Sequence, residues 1–158
     1  MQYIWMALMV LGIVGLDQVT KYLTVANIPL YGQAEAINGL FHFTYVQNTG
    51  AAWSAFEGMI WLFALVFAVF AVFIVWEFSK NKLGFTSFER WCLVAVFGGG
   101  LGNMIDRLRL GYVVDMIAVD FVEFPVFNVA DCFISCGCIL LLIHLMFFNP
   151  QFWKDGKK

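Results

Sequence analysis

Residues 59–76 read MIWLFALVFAVFAVFIVW, an unbroken apolar run. A stretch of this length can cross the hydrocarbon core of a bilayer as a helix. A helix is the expected form, because lipid offers no hydrogen-bond partner for backbone N–H and C=O groups. A membrane β-barrel would instead need many alternating strands of about ten residues, and this run does not alternate. The stretch therefore predicts a membrane-spanning helix.

Three further apolar segments lie before and after this run, and together they predict helices at about 4–25, 59–78, 90–107 and 129–148. The composition agrees, because hydrophobic residues make up 62% of the chain and charged residues only 13%. Soluble domains carry about 25% charged residues, and a soluble chain this short could not bury so much apolar surface. The sequence thus predicts an all-α membrane protein with four transmembrane helices in a single integral membrane domain, 1–158.

Charge and cysteine usage exclude several classes of function. The net charge is -2, and no run rich in Lys and Arg lies outside the loops and the tail, which argues against a nucleic-acid partner. The cysteines lie in apolar stretches without a C-x-x-C pair, so we expect small buried hydrophobes and neither a metal site nor another cofactor. They are Cys92, Cys132, Cys136 and Cys138.

Positive charges near the ends of the apolar segments predict the orientation. They gather in the connection between the second and third helices and in the tail, at Lys80, Lys82, Arg90, Lys154, Lys157 and Lys158. Such charges favour the cytoplasmic side, so both termini are expected there, with segments 27–57 and 108–128 facing outward. The first apolar segment has no preceding Lys or Arg and no small-x-small cleavage site after it. It is therefore expected to remain as a membrane helix.

The first outward segment has the pattern of a folded structure. Residues 41–46 (FHFTYV) are aromatic and β-branched, which favours a strand. Turn residues punctuate the segment at Pro29, Gly32, Asn38 and Gly39. We expect a small extracytoplasmic β-rich platform at the outer membrane surface.

Asp115 and Asp131 are the candidate catalytic pair. Asp115 follows the third helix in 111–115 (GYVVD), and Asp131 begins the fourth in 127–131 (FNVAD). Ionisable groups at membrane depth are costly, so each is a candidate for function. A short outward loop would bring the two carboxylates together, where one shared proton lets one activate water while the other polarises a carbonyl. Alternatively, each carboxylate caps a helix or pairs with an arginine.

Other polar residues are predicted to lie at the same level of the membrane. Asn103, Asp106 and Arg107 share one face of the third helix; they either orient the aspartates or form an ordinary charge pair between neighbours. Asp17 and Lys21 are spaced for an ion pair, although Lys21 could simply extend to the lipid head groups. The segment 48–52 (NTGAA) follows the predicted strand, either as a peptide-binding edge or as a plain turn.

These residues resemble those of the lipoprotein signal peptidases, the signal peptidase II family. The resemblance rests on five elements in order: 17–21 (DQVTK), 48–52 (NTGAA), 99–107 (GGLGNMIDR), 111–115 (GYVVD) and 127–131 (FNVAD). They run from the first helix to the fourth and cover nearly the whole chain. Each element alone is weak, whereas all five in order are highly specific.

The resemblance implies an intramembrane aspartyl endopeptidase of the bacterial cytoplasmic membrane. Such enzymes remove the signal peptide from diacylglyceryl-modified prolipoproteins, just before the lipidated cysteine, and bind globomycin-type cyclic peptide antibiotics. It also implies that Asp115 and Asp131 are catalytic and that further residues bind substrate or support the pair. Those residues are Asp17, Lys21, Asn48, Gly50, Asn103, Asp106, Arg107, Asn128 and Ala130.

Three rival interpretations remain. A small four-helix proton-coupled exporter could use Asp17 as its proton-carrying carboxylate, but it predicts short loops and a midplane site. A structural membrane subunit leaves Asp115 and Asp131 unexplained. A serine–lysine peptidase would need a base beside Ser135, which shares the helix face of Asp131, and none is placed there. His144 is interpreted as structural.

Overall fold

The computed structural model of the chain describes residues 1–50, 55–150 and 152. Within these residues it is mostly helical and carries one small antiparallel sheet. The elements are α1 (Gln2–Asn27), β1 (Gln33–Ile37), β2 (Phe41–Asn48), α2 (Ile60–Lys80), α3 (Ser87–Leu110), β3 (Val113–Val119) and α4 (Val129–Phe147). The expectation of a mainly helical protein with a small sheet is confirmed.

Three of the helices, α1, α2 and α4, are long and apolar enough to cross a membrane. Their outer surfaces suit lipid: Val66, Val69 and Val72 on α2 are each more than half exposed. Helix α3 differs, because it carries ionisable side chains and packs against all three other helices. It is the central helix of the bundle, and its buried polar residues have partners within the protein.

Local capping explains where α3 and α4 begin. Thr86 and Glu89 form a reciprocal capping box, so α3 starts at Ser87, before the apolar run that predicted it. It ends at Gly111, which adopts a left-handed conformation (φ 84°) that glycine accommodates readily. Asn128 and Asp131 form the equivalent box at the start of α4. The alternative that Asp131 caps a helix is therefore correct, because its side chain accepts from the Asn128 N–H at the start of α4.

The sheet has the order β1-β2-β3, with both pairs antiparallel. Strand β2 includes the predicted segment 41–46. The return from Asp115 to Asp131 was expected to be a short loop, but it begins as a strand, because Asp115 lies within β3. The physical reason is that Val113–Val119 is mainly apolar and β-branched and finds its backbone partners on β2, far away in the sequence.

The chain returns from β3 to α4 through a second set of backbone contacts. The Phe127 carbonyl accepts from the backbone N–H groups of Met116 (3.0 Å) and Ile117 (2.8 Å), and the Phe127 N–H donates to the Ile117 carbonyl at 3.1 Å. These bonds place residue 128, and with it the first turn of α4, directly beside Asp115. The sheet therefore positions both members of the candidate pair, Asp115 and Asp131.

Candidate active site

Asp115 and Asp131 reach one site from a strand and from a helix. Asp115 faces Val46 across the β2–β3 pair and is 2% exposed. Asp131 lies in the first turn of α4 and is half-buried. Both line the same cavity. The structure thus brings together the two carboxylates that the sequence analysis singled out.

Asn128 and Asn103 connect these carboxylates through their side-chain amides. Asn128 Nδ2 donates to Asp115 Oδ1 at 2.7 Å and to Asn103 Oδ1 at 3.1 Å. Asn103 Nδ2 in turn donates to Asp131 Oδ1 at 2.8 Å. A continuous chain of N–H···O bonds therefore links the aspartates and orients them relative to each other. Both asparagines are buried, so little water competes for these bonds.

The end of β2 supplies a second support for Asp115. Asn48 Nδ2 donates to Asp115 Oδ2 at 2.8 Å, and Asn48 Oδ1 accepts from the Gly50 N–H at 2.9 Å. Arg107 Nη2 donates to the Gly50 carbonyl at 2.8 Å. Asn48, Gly50 and Arg107 are thus joined at the edge of the site. Ala51 and Ala52, the last two residues of this motif, lie outside the described residues, as do the tail lysines at 154, 157 and 158.

Lys21 is the centre of a buried polar cluster between α1 and α3. Its Nζ lies 2.9 Å from Asp17 Oδ2 and 2.9 Å from Asp106 Oδ2. Lys21 is only 3% exposed, so the alternative that it extends to the lipid head groups is wrong. Two carboxylates at contact distance compensate the desolvation of the ammonium. The alternative of a neighbour pair between Asp106 and Arg107 is also wrong, because Asp106 is bound to Lys21.

Lys21 also determines which way the Asn103 amide points. Its Nζ donates to Asn103 Oδ1 at 2.8 Å. An ammonium group has donors and no acceptor, so the amide oxygen must face Lys21 and the NH2 group must face Asp131. Lys21 therefore acts on Asp131 through Asn103, without touching it.

Asp17 ties α1 to the first turn of α4. Its Oδ1 accepts from the Ala130 N–H at 3.0 Å, and its side chain is fully buried. A carboxylate held by Lys21 and Ala130 is poorly suited to carrying protons across a bilayer, which argues against the exporter hypothesis. Gln18, which was not singled out, donates from Nε2 to Asp106 Oδ1 at 2.8 Å. Its one signal in the sequence was its position beside Asp17.

A cavity of about 1070 Å³ lies beside the two aspartates. Its polar end holds Asn48, Asn103, Arg107, Asp115 and Asp131. Its other walls are apolar and come from α2, α3, α4 and the segment before α4; they include Leu62, Val66, Phe70, Val96, Phe124 and Ile134. The cavity is therefore at the upper end of the size range of ligand-binding pockets, and both carboxylates line it.

Burial sets the protonation of Asp115. Removal from water raises the pKa of this carboxyl from 3.8 to about 6, and the negative charge of Asp131 acts in the same direction. The N–H groups of Asn48 and Asn128 oppose the shift because they favour the ionised form. Asp115 thus holds a proton at pH values where an exposed aspartate would have lost it.

The site offers little to a metal ion. Across the part of the chain that the structure describes, no group of three or more His, Cys, Asp and Glu side chains is arranged to bind one. Cys132 and Cys136 line the cavity and are exposed, so the expectation that they are buried was wrong for these two; Cys92 is buried. Ser135 also lines the cavity. A serine–lysine peptidase would need a free lysine as its base, and Lys21 is instead bound to two carboxylates and to Asn103.

A second buried cluster lies at the other end of the bundle. Glu89 on α3 is fully buried; its Oε1 is 2.8 Å from His144 Nδ1, and its Oε2 accepts from Asn149 Nδ2 at 2.8 Å. His144 thus joins α4 to the start of α3, in agreement with its structural interpretation. Sequence reasoning missed Glu89, because nothing local indicates that a residue 55 positions away will be its partner.

The chain is similar to known proteins over most of its length. Residues 9–147 match the family model described as signal peptidase (SPase) II. A lipoprotein signal peptidase of Enterococcus faecalis (strain ATCC 700802 / V583) is 43% identical over 148 residues, covering 92% of this chain and 89% of that protein. Another, from Streptococcus thermophilus (strain CNRZ 1066), is 39% identical over 150 residues, covering 92% of this chain and 90% of that protein.

Solved structures share the fold. One, described as a bacterial membrane enzyme determined by the in meso method at 2.3 Å resolution, superposes with a TM-score of 0.83 at 32% identity, covering 89% of this chain and 87% of that one. A second, described in the same way at 1.9 Å, gives a TM-score of 0.80 at 32% identity, covering 91% of this chain and 94% of that one.

Proposed function

The chain belongs to the signal peptidase II family and is a bacterial membrane protein, and from this premise we propose that it is an aspartyl endopeptidase. Its substrates are bacterial prolipoproteins that already carry diacylglycerol on the cysteine following the signal peptide. It cleaves the peptide bond just before that cysteine. The same cavity is proposed to bind globomycin-type cyclic peptides.

The observation that carries this proposal is the amide-linked carboxylate pair at the end of a large apolar cavity. Asp115 and Asp131 are joined through Asn128 and Asn103, and both face the cavity. Peptide hydrolysis without a covalent intermediate needs a base for water and an acid for the carbonyl, both within reach of one bond. Two carboxylates that share one proton supply these functions without a metal ion.

In the first step, Asp131 is the base and Asp115 the acid. Asp131 stands in the first turn of α4, where its Oδ2 accepts from the Asn128 N–H. It takes a proton from a water molecule, and the water oxygen bonds to the scissile carbonyl carbon. Asp115, which burial favours in its protonated form, gives its proton to the carbonyl oxygen. The product of this step is a neutral tetrahedral diol.

In the second step, the proton held by Asp131 passes to the amide nitrogen, and the C–N bond breaks. The carbonyl re-forms as its hydroxyl returns a proton to Asp115, so the pair regains its starting state. Arg107 lies beside the cavity with its Nη2 on the Gly50 carbonyl, and the loop that it holds contributes to binding the substrate backbone.

The proposed arrangement in the membrane has four spans, because α3 is proposed to cross it together with α1, α2 and α4. Helix α3 has 24 residues, which is about 36 Å at the helical rise, and its position between the other helices supports a span. Both termini are proposed to be cytoplasmic, and the sheet and the aspartates to lie near the outer face. Reporter fusions at Asn81 and at the C-terminus should report the cytoplasm, and fusions at Glu35 and Asp120 the outside; the opposite pattern would reject this orientation.

Replacement of each aspartate tests the proposed mechanism. Asp115→Asn and Asp131→Asn keep the side-chain size and remove the ability to exchange a proton. Each should lower kcat by more than about a hundredfold, the lower end for general acid–base groups, in cleavage of a diacylglyceryl-modified prolipoprotein by purified protein in detergent. Turnover near that of the wild type in either variant would reject the carboxylate pair.

A further inference from the structure

An aromatic ring on α2 contacts the positive charge at the edge of the site. The guanidinium carbon of Arg107 lies 4.1 Å from the ring centroid of Phe63, and both side chains line the cavity. The face of an aromatic ring attracts a cation, and most strongly where water is excluded. Phe63 stands in the first turn of α2, so it reaches Arg107 on α3 from across the cavity.

Three carboxylates lie near Arg107, but it forms an ion pair with none of them. Its charge is attracted by Asp131 on α4, Asp115 on β3 and Asp106 on α3. Asp106 is paired with Lys21, which also holds Asp17 on α1. Within residues 1–50, 55–150 and 152, no ion pair joins Arg107 to a carboxylate.

The hydrogen bonds of Arg107 go to backbone carbonyls instead. Nη2 donates to Gly50 O at 2.8 Å and Nη1 to Asn103 O at 3.4 Å. An arginine usually forms a two-pronged pair with a carboxylate where geometry permits, because such pairs are the stronger bonds. The guanidinium thus contacts the ring of Phe63 and donates to the Gly50 carbonyl, and these contacts hold it in place.

We propose that Phe63 is a positioning residue for the peptidase reaction: its ring holds the Arg107 guanidinium beside Asp115 and Asp131 but out of an ion pair with them. The proposal rests on the proposed aspartyl mechanism. An arginine bound directly to Asp115 would keep that carboxylate ionised, and the pair would lose the proton that the first step gives to the carbonyl oxygen. An arginine bound directly to Asp131 would make it a weaker base. Held by Phe63, the charge of Arg107 lies near the site without removing this proton.

The test compares two replacements of Phe63 with a matched control. Phe63→Leu keeps an apolar side chain and removes the ring, while Phe63→Tyr keeps the ring. Phe78→Leu is the control, because Phe78 makes the same kind of contact between α2 and α3, 5.7 Å from the Arg90 guanidinium carbon, away from the cavity. The measurement is the kinetics of cleavage of a diacylglyceryl-modified prolipoprotein from about pH 5 to about pH 9, a range that includes the pKa of a buried carboxyl.

Phe63→Leu should lower kcat roughly tenfold at neutral pH, the order expected for loss of a desolvated cation–π contact. It should also move the fall of kcat/KM at high pH to a lower pH, because Arg107 then holds the pair ionised. Phe63→Tyr and Phe78→Leu should keep the wild-type pH profile. If Phe63→Leu does not fold, Phe63→Met provides the same comparison with a longer apolar side chain.

A Phe63→Leu or Phe63→Met enzyme with an unmoved pH profile would overturn the proposal, since a side chain that only fills space changes rate or stability and not the profile. Loss of activity in Phe63→Tyr equal to that in Phe63→Leu would overturn it as well. Failure of the mechanism itself is distinguishable from these results, because it would appear as activity in Asp115→Asn or Asp131→Asn, whereas failure of the proposal alone leaves both aspartate variants inactive.

Discussion

Asn128 and Asp131 bind each other reciprocally at the start of α4: the Asp131 N–H donates to Asn128 Oδ1 at 3.0 Å, and the Asn128 N–H donates to Asp131 Oδ2 at 3.1 Å. The cap uses the amide oxygen of Asn128, so its NH2 group is left to face Asp115. Asn128 therefore both caps α4 and supports Asp115.

Asn128→Ser should separate these two roles. Serine keeps an oxygen that can cap α4, at a cost of a few tenths of a kcal/mol at most, but it has no N–H to give to Asp115 or Asn103. We expect a loss of about 1–3 kcal/mol of stability, because two buried hydrogen bonds are lost, and a loss in kcat of at least about tenfold, because the pair loses the bond that orients it. Thermal unfolding in detergent and turnover of a lipidated prolipoprotein measure the two effects.

Thr86→Ala is the matched control for this experiment. It removes the N-cap of α3 at the opposite end of the bundle and should cost about 1 kcal/mol of stability with little effect on kcat. If Asn128→Ser and Thr86→Ala affected activity equally, the Asn128 amide would have no particular role in the site.

Much of this arrangement follows from the sequence because lipid imposes strong constraints. Apolar runs such as 59–76 can only be helices there, and Asp115 and Asp131 stand out because ionisable groups at membrane depth are costly. The partners could not be predicted in the same way. Strand β3 depends on β2 for its backbone hydrogen bonds, so only the tertiary structure shows that Asp115 lies on a strand.

The role of Phe63 illustrates why apolar residues are the hardest to assign. Within the run 59–76 it is one of several phenylalanines that would each face lipid equally well. Its contact with Arg107 joins two residues that lie 44 positions apart, on different helices. Lys21 was ambiguous for a related reason, because the sequence indicates a pair with Asp17 but not the second carboxylate, Asp106, that keeps it buried.

Activity should fall as the pH rises above about 6. Burial raises the pKa of Asp115 to about 6, so the proton that the proposed mechanism uses is present below this pH and lost above it. kcat/KM, which reports the free enzyme, should then decrease about tenfold for each further pH unit. A flat profile between about pH 5 and about pH 8 would mean that Asp115 is not the acid.

The same shift predicts how stability depends on pH. Asp115 loses its proton near pH 3.8 in the unfolded chain and near pH 6 in the folded protein, so the folded state binds more protons between these values. This contribution to the free energy of unfolding is fully present below about pH 4 and is lost as the pH rises through about 6, a change of roughly 3 kcal/mol. Asp115→Asn should lack this pH-dependent contribution when its thermal unfolding is measured. The same pH dependence of stability in the variant and the wild type would contradict the raised pKa of Asp115.

Gly102→Ala should destabilise the protein at the α1–α3 contact. A Cβ at this position would lie 2.5 Å from Asp17 Oδ2, and Asp17 cannot move without breaking its bonds to Lys21 and Ala130. Overpacking of this kind costs about 1–3 kcal/mol. Gly12→Ala on α1 is the control, since a Cβ there would meet no atom of the described residues within 4 Å. Equal unfolding midpoints for the two variants would mean that α1 and α3 have room to adjust.

The lipid on the substrate should be required for efficient cleavage. The cavity is lined by α2, α3 and α4 beside the aspartates, and Val66 on its wall is 61% exposed, so in the proposed arrangement the cavity would open sideways to the bilayer. A diacylglyceryl group beside the scissile bond would lie in the acyl region and hold that bond at the level of the carboxylates. Each buried methylene contributes roughly 0.8 kcal/mol, so two chains fix the depth firmly and supply orientation before the reaction.

The lipidated form of one prolipoprotein should therefore have a much higher kcat/KM than its unlipidated form. This difference should depend on the opening of the cavity beside Val66. Val66→Trp narrows it and should reduce cleavage of the lipidated form. Val69→Trp is the control, because Val69 is equally exposed at 62% on the same helix but does not line the cavity. Equal efficiency for the two substrates would mean that the site recognises peptide alone. Equal effects of the two tryptophans would mean that the lipid enters by another route, since only the cavity wall distinguishes these positions.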